Sequence, residues 1–264
     1  MEMESQETYW RDRAALEWQV ELGADEAMSE TPVDRYSLEP TPPKPAKSAE
    51  KAAPPPVAEK IAVDAALVAT KAAAEARDLG GLAASQAAFE HCELKRGAKN
   101  FVFADGTPEA RVMIVGEAPG RQEDIAGKPF VGQAGQLLDR MLAAIDLARS
   151  ADDPARAVYI TNVLPWRPPS NRTPEPEEIA MMLPFVERHI TLANPDFVVL
   201  MGNTPCQALL GRAGITRLRG KWVEVLGRPA LPMFHPAYLL RNTAAKREAW
   251  ADLLALQARL QETV

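Results

Sequence analysis

A three-layer α/β/α sandwich around a four-stranded, mostly parallel sheet is the fold this sequence predicts, and three observations predict it. From residue 111 to the C-terminus, short apolar runs alternate with longer helix-like stretches, the order that a parallel sheet with crossover helices requires. The runs at 111–115, 157–164 and 196–201 are apolar almost without a break, as strands buried on both faces are. Three strand-end segments, beginning at 116, 162 and 234, are rich in Gly, Pro, Asn and charge. In an open parallel sheet such loops meet at one edge, where ligands bind.

Taken in order, residues 7–29 read as a short amphipathic helix that stops near Gly23. Residues 31–60 include Pro42-Pro43-Lys44-Pro45 and Pro54-Pro55-Pro56. They bury too little apolar surface to fold and read as an extended, largely disordered linker. Residues 61–90 are Ala-rich with good helix propensity. The expected division is an acidic tail over 1–80 and a folded domain over 81–264. Within that domain, helices are predicted at about 133–147, 177–193 and 204–211, between and after the three apolar runs. A strand pair at about 221–226 and 231–234 then precedes a closing helix at about 243–262. No internal repeat is visible.

Composition narrows the classes. The chain of 264 residues is 47% hydrophobic, has no apolar run of membrane-span length, and opens on Met1-Glu2-Met3-Glu4-Ser5 with no secretory core. Two cysteines, Cys92 and Cys206, make no disulfide framework. A cytosolic protein without membrane contact is expected. The net charge of −6 looks wrong for a nucleic-acid binder until it is divided. Residues 1–80 hold 16 acids and 9 bases, whereas 81–264 hold 20 acids and 21 bases. The folded part is near neutral, so a local basic face on it is compatible with nucleic acid.

The first strand-end loop, Gly116-Glu117-Ala118-Pro119-Gly120-Arg121-Gln122-Glu123-Asp124, is followed by Phe130 in Lys-Pro-Phe-Val-Gly. It fits neither the P-loop nor the dinucleotide pattern. The second runs from Asn162 through Arg167-Pro168-Pro169-Ser170-Asn171-Arg172, and the third is Phe234-His235-Pro236-Ala237-Tyr238-Leu239-Leu240-Arg241. An Asn amide offers a donor beside an acceptor, which matches a pyrimidine edge. An aromatic face stacks on a base for about 1–3 kcal/mol, and a His can bond a carbonyl or a developing anion. Together they suit one flat, polar-edged ring. Each residue alone is ordinary: Phe130 as core, Asn162 as a cap, His189 and Cys206 as buried structure, His91-Cys92 as too small a set for a metal.

These motifs, in this order and spacing over about residues 86–262, resemble the uracil-DNA glycosylase superfamily and, within it, family 4. The resemblance implies a uracil flipped out of DNA, stacked on Phe130, read at N3 and O4 by Asn162, and bonded at O2 by His235. The loop of Gly116, Ala118, Pro119 and Gly120 would line the pocket. Leu239 or Leu240 would wedge into the duplex and Arg241 would hold a phosphate. Arg167, Asn171 and Arg172, with Arg217 and Arg219, are expected to face the DNA backbone.

Two departures stand beside the resemblance. Family 4 proteins usually hold a 4Fe–4S cluster on four cysteines. Here those positions carry Phe89, Cys92, Trp166 and Met182, and one thiolate cannot hold the cluster, so no cofactor is expected. In the best-known branch of the superfamily an Asp matches Ala118 and activates water, and a Tyr matching Gly120 rejects thymine. Water activation here must come from Glu117, Glu123 or Asp124, or the route is largely dissociative. The expected activity is monofunctional removal of uracil from single- and double-stranded DNA. The alternatives are a glycosylase of broader base specificity, acting also on deaminated purines, and a non-catalytic module that binds damaged DNA. The resemblance further implies a cytoplasmic monomer of the bacterial cytosol or nucleoid; a partner for the tail is not legible.

Overall fold

The computed structural model describes residues 64–262; the helix expected at 7–29 and the linker at 31–60 lie outside them. The described body opens with α1 (Ala65–Glu75) and α2 (Leu79–Ala88). Asp64 caps α1 by accepting from Ala66 and Leu67 N–H at 3.1 and 3.2 Å, and Asp78 caps α2 from Gly81 N–H at 2.7 Å. Such caps satisfy amides that have no partner within the helix. The buried side chains of α1 are the small residues Ala69 and Ala73, and this helix packs on α6 (Pro176–Ala193). Arg188 of α6 fastens the pair by donating to the Ala76 carbonyl at 2.7 Å.

The sheet has six strands rather than four. Its order is β1 (Ala104–Gly106), β3 (Val158–Asn162), β2 (Val112–Gly116), β4 (Phe197–Met201), β6 (Arg228–Met233), β5 (Val223–Val225). The four central strands run parallel, and a short antiparallel strand is added at each edge. The first edge strand escapes sequence reading because Ala-Asp-Gly has little strand propensity of its own; pairing with β3 makes it a strand. At the other edge, β5 and β6 form a hairpin whose turn residues Leu226 and Gly227 have φ of 50° and 76°, the left-handed pair of a type I′ turn.

Alternation along each strand divides the core into two layers. Met113, Val115, Tyr159, Val198 and Leu200 face a cluster with Ile179, Met182, Phe185 and Ile190 of α6. Their neighbours Val112, Ile114, Val158, Ile160 and Val199 face Leu138 and Leu142 of α5 (Gln133–Ala143) and Leu253 and Leu256 of α10 (Lys246–Glu262). Both faces are therefore covered, which is why the strands read as nearly continuous apolar runs. Helix α5 ends four residues before the expected 147, and the closing helix begins as a 3-10 turn at Thr243–Ala245. Among the described residues no helix is long and apolar enough to cross a membrane.

Candidate active site

The parallel strands deliver their C-terminal ends to one side of the sheet, and a cavity of about 540 Å³ lies there. Gly116 ends β2 and pairs in register with Asn162, which ends β3. Past these ends the two chains stay together, because Val163 and Leu164 N–H donate to the Gly116 and Glu117 carbonyls at 2.9 and 3.0 Å. The loop after β6 brings His235 to the same cavity at the start of α9 (Pro236–Arg241).

Gly116 is required by contact. A Cβ built there would fall 2.4 Å from Asn162 Oδ1 and 2.5 Å from the Phe130 ring, distances that no real side chain tolerates. The bare backbone leaves room for both the amide of Asn162 and the ring of Phe130. Phe130 in turn lies against His235, with ring centroids 5.3 Å apart and 29° between planes. Asn162 is buried, lines the cavity, and among the described residues its side-chain amide has no hydrogen-bond partner. A buried amide without protein partners is ready for a ligand's polar edge.

His235 is the N-cap of α9, and its Nδ1 accepts from Ala237 N–H at 3.1 Å. That bond requires a lone pair on Nδ1, so the neutral ring carries its proton on Nε2. Burial lowers the His235 pKa to about 4, helped by the positive charge of Arg241 and opposed by Glu123. The imidazole is thus a neutral donor at ordinary pH.

The three candidate acids separate cleanly. Glu117 lines the cavity, and its Oε2 accepts from the Thr204 hydroxyl at 2.5 Å. Glu123 also lines the cavity, but its Oε1 accepts from Val131 and Gly132 N–H at 3.0 and 2.8 Å, fixing the chain that leads into α5. Its Oε2 lies where a Cβ on Gly120 would come within 2.8 Å. Asp124 does not line the cavity; it is buried and accepts from Lys99 and Asn100 N–H at 2.8 and 3.1 Å.

Ala118, Pro119 and Gly120 line the cavity, as do Asn171, Arg172 and Arg241. Arg172 is held in a fork by Glu178 at 2.9 and 2.6 Å, and Arg167 donates to Asn171 Oδ1 at 2.8 Å. Arg219 departs from the expected outward position. It bonds Asp252 at 2.8 Å through Nε and lies over the Phe234 ring at 5.5 Å, drawn in by a buried carboxylate that has to be paired. The two adjacent leucines differ sharply, with Leu239 1% exposed and Leu240 40% exposed. His189 is structural: it stacks on Phe103 at 4.3 Å, meets the Tyr159 hydroxyl at 2.9 Å, and burial lowers its pKa to about 3.

Sequence reasoning missed the loop after β4. Gly202, at φ 100° with its absent Cβ facing His235 at 3.3 Å, and Asn203 both line the cavity. Asn203 Oδ1 accepts from Gly214 and Ile215 N–H at 3.1 and 2.8 Å. The signal available was Gly-Asn directly after an apolar run, without the charged residues that mark the other three loops.

Against known proteins, the family model of the uracil DNA glycosylase superfamily matches residues 103–254. The type-4 uracil-DNA glycosylase of Thermotoga maritima is 41% identical over 154 residues, covering 57% of this chain and 77% of that protein. That of Archaeoglobus fulgidus is 38% identical over 170 residues, covering 61% and 82%, and that of Pyrobaculum aerophilum is 38% identical over 175 residues, covering 62% and 85%.

Proposed function

The chain belongs to the uracil DNA glycosylase superfamily, and on that premise we propose that it hydrolyses the N-glycosidic bond of uracil in DNA, in single strands and in duplexes, leaving an abasic site. One observation carries this reading: an unpartnered amide (Asn162), an aromatic face (Phe130) and an imidazole with its donor nitrogen fixed (His235) meet in one cavity. Asn162 Oδ1 accepts from uracil N3–H while Nδ2 donates to O4. Extruding the base costs a few kcal/mol, least where it is unpaired or mispaired, and stacking on Phe130 returns about 1–3 kcal/mol.

As the bond breaks, its electron pair stays with the base, and negative charge grows on O2. The Nε2–H of His235 donates to that oxygen. With its pKa lowered to about 4 the ring is neutral near pH 7, and it stabilises the developing anion by donating a hydrogen bond without transferring the proton. Water then adds to the sugar carbon and gives up a proton. Glu117 is the acceptor best supported, since Thr204 holds one of its oxygens at 2.5 Å and the carboxylate lines the cavity. Glu123 forms the wall beside Gly120 and narrows the pocket there. Leu240 is the wedge, being exposed where Leu239 is buried, and the exposed Arg241 beside it meets a phosphate. Backbone contacts of this kind make DNA binding salt-dependent.

We also infer that the chain holds no iron–sulfur cluster. Phe89, Cys92, Trp166 and Met182 are all buried in one apolar cluster. Burial raises the Cys92 pKa, outweighing the backbone hydrogen bonds that would lower it, so the single sulfur is a thiol and not a ligand. Among the described residues, no group of three or more His, Cys, Asp or Glu is disposed to hold a metal ion. The protein is therefore expected to purify colourless and iron-free with full activity. Truncation of Met182 to Ala is expected to lower stability by about 2–5 kcal/mol, read from chemical denaturation. Stoichiometric iron with a visible chromophore would overturn this inference.

Incubation with oligonucleotides carrying a single uracil, hypoxanthine or thymine tests the function, with abasic sites scored by alkaline cleavage. Product from uracil alone is expected. Cleavage at hypoxanthine would indicate broader specificity, and binding without product would indicate a damage-binding module.

A titration tests the neutral imidazole. With three histidines in the chain, NMR resolves each ring, and His235 is expected to titrate near 4 rather than near the ordinary value of about 6.5. The folded-state pKa is depressed, so the stability this contributes is complete above about 6.5 and is lost as pH falls toward the folded value. Titration of His235 near 6.5 would contradict the assignment.

A further inference from the structure

We propose that Arg149 is a positioning residue for base excision, fixing the backbone of Phe130 and thereby the ring on which the base stacks. This rests on the reading of Phe130 as the stacking face. Phe130 has φ 53°, a left-handed conformation that a bulky residue adopts only when its surroundings impose it. Two groups impose it here.

The first is the guanidinium of Arg149. Its Nη1 donates to the Pro129 carbonyl at 3.0 Å and its Nη2 to the Phe130 carbonyl at 2.9 Å, so one rigid fork grips two consecutive peptide units. The fork is itself aimed by two carboxylates. Asp105 on β1 accepts from Nη1 at 3.1 Å, and Asp139 on α5 accepts from Nε at 2.8 Å. Lys128 meets the other oxygen of Asp105 at 3.1 Å. Burial acts against the Asp105 charge, yet the bonds from Lys128 and Arg149 prevail and hold its carboxyl below the usual range.

The second is Gly135, in the first turn of α5, where a Cβ would fall 1.7 Å from the Phe130 carbonyl oxygen. The helix presses on the same carbonyl that Arg149 holds. With the peptide fixed at both sides, the ring has one direction to take, against Gly116 and toward His235. Arg149 does not line the cavity. Its influence on the base passes through Phe130 alone.

The test is a double-mutant cycle on the full chain: wild type, Arg149→Ala, Phe130→Ala and the double variant, assayed on single-stranded uracil DNA for kcat and KM and for inhibition by free uracil. Arg149→Ala is expected to lower kcat about 10²-fold, as a displacement near 1 Å at a reacting centre does, and to weaken inhibition by uracil in parallel. KM for DNA should change little. In the Phe130→Ala background the same substitution should change kcat no further, since the two residues act as one unit. Arg149→Lys, which keeps the charge but not the fork, should recover only part of the rate; it also serves if Arg149→Ala does not fold.

Additive losses, or a lower melting temperature with unchanged kcat and uracil inhibition, would overturn the proposal while leaving the glycosylase reading intact. An unchanged kcat in Phe130→Ala would overturn the stacking role and this proposal with it. Wild-type protein that releases no uracil would instead fail the function itself.

Discussion

Replacing His235 with alanine is expected to lower kcat on uracil-containing DNA about 10²–10³-fold, the usual loss when one donor to a developing oxyanion is removed. The expectation follows from how the ring is held. Because Ala237 N–H occupies Nδ1, the proton sits on Nε2, and because the pKa is lowered to about 4, the ring stays neutral near pH 7. The donor is therefore in place before the bond breaks and needs no reorganisation. His235 also caps α9, and loss of a cap costs about 1 kcal/mol of stability. His235→Asn separates the two roles. Asparagine restores the capping acceptor, but its shorter side chain stops short of the point Nε2 reaches. The Asn variant should fold as wild type does and remain slow. Single-turnover kinetics beside thermal melts provide the comparison, and wild-type kcat in His235→Ala would remove the residue from the mechanism.

The second large effect is expected at Asn162. Asn162→Asp keeps the shape of the side chain but replaces its donor with an acceptor, so O4 of uracil meets a carboxylate oxygen in place of an N–H. Sites built to hydrogen-bond a substrate group discriminate by about 10⁴–10⁵ when the match is broken, because buried polar groups are left unpaired. Asn162 is 6% exposed, lines the cavity and has no protein partner for its amide among the described residues, so a base filling the cavity leaves the mismatch to be met by no other group. The loss should appear in kcat/KM for uracil and in free-uracil inhibition together. A variant with near wild-type kcat/KM would mean that the base edge is read elsewhere.

Much of this was legible in the sequence for a physical reason. Strands covered on both faces by α5 and α10 on one side and by α6 on the other have to be largely apolar, and 112–116, 158–160 and 197–201 are, with Thr161 and Asn162 the buried polar residues at the site end of β3. Glycine was legible at Gly116 as part of a strand-end loop, although what it makes room for, the Asn162 amide and the Phe130 ring on either hand, is visible only in three dimensions. The edge strand at Ala104–Gly106 was not legible because its pairing partner supplies the order. Nor was Arg149, whose decisive contact is with a carbonyl 19 residues back in the chain, a distance no local periodicity reports. The position of Arg219 has a similar origin: beside Arg217 in a loop it reads as facing the DNA backbone until the buried carboxylate of Asp252, 33 residues on, is known to claim it. The three candidate acids were equivalent as letters. Their hydrogen bonds make Asp124 a structural acceptor away from the cavity, while Glu117 and Glu123 both line it, Glu123 holding Val131 and Gly132 N–H and Glu117 the Thr204 hydroxyl.

The most direct test of the central claim is to quantify free base released from a single-stranded oligonucleotide carrying one uracil, with metal chelator present throughout. Stoichiometric uracil, matched by abasic sites and abolished in parallel by His235→Ala and Asn162→Asp, is the predicted result. Retention of the base by DNA that the protein nonetheless binds, or release that survives both substitutions, would contradict the assignment of this cavity as the site of uracil excision.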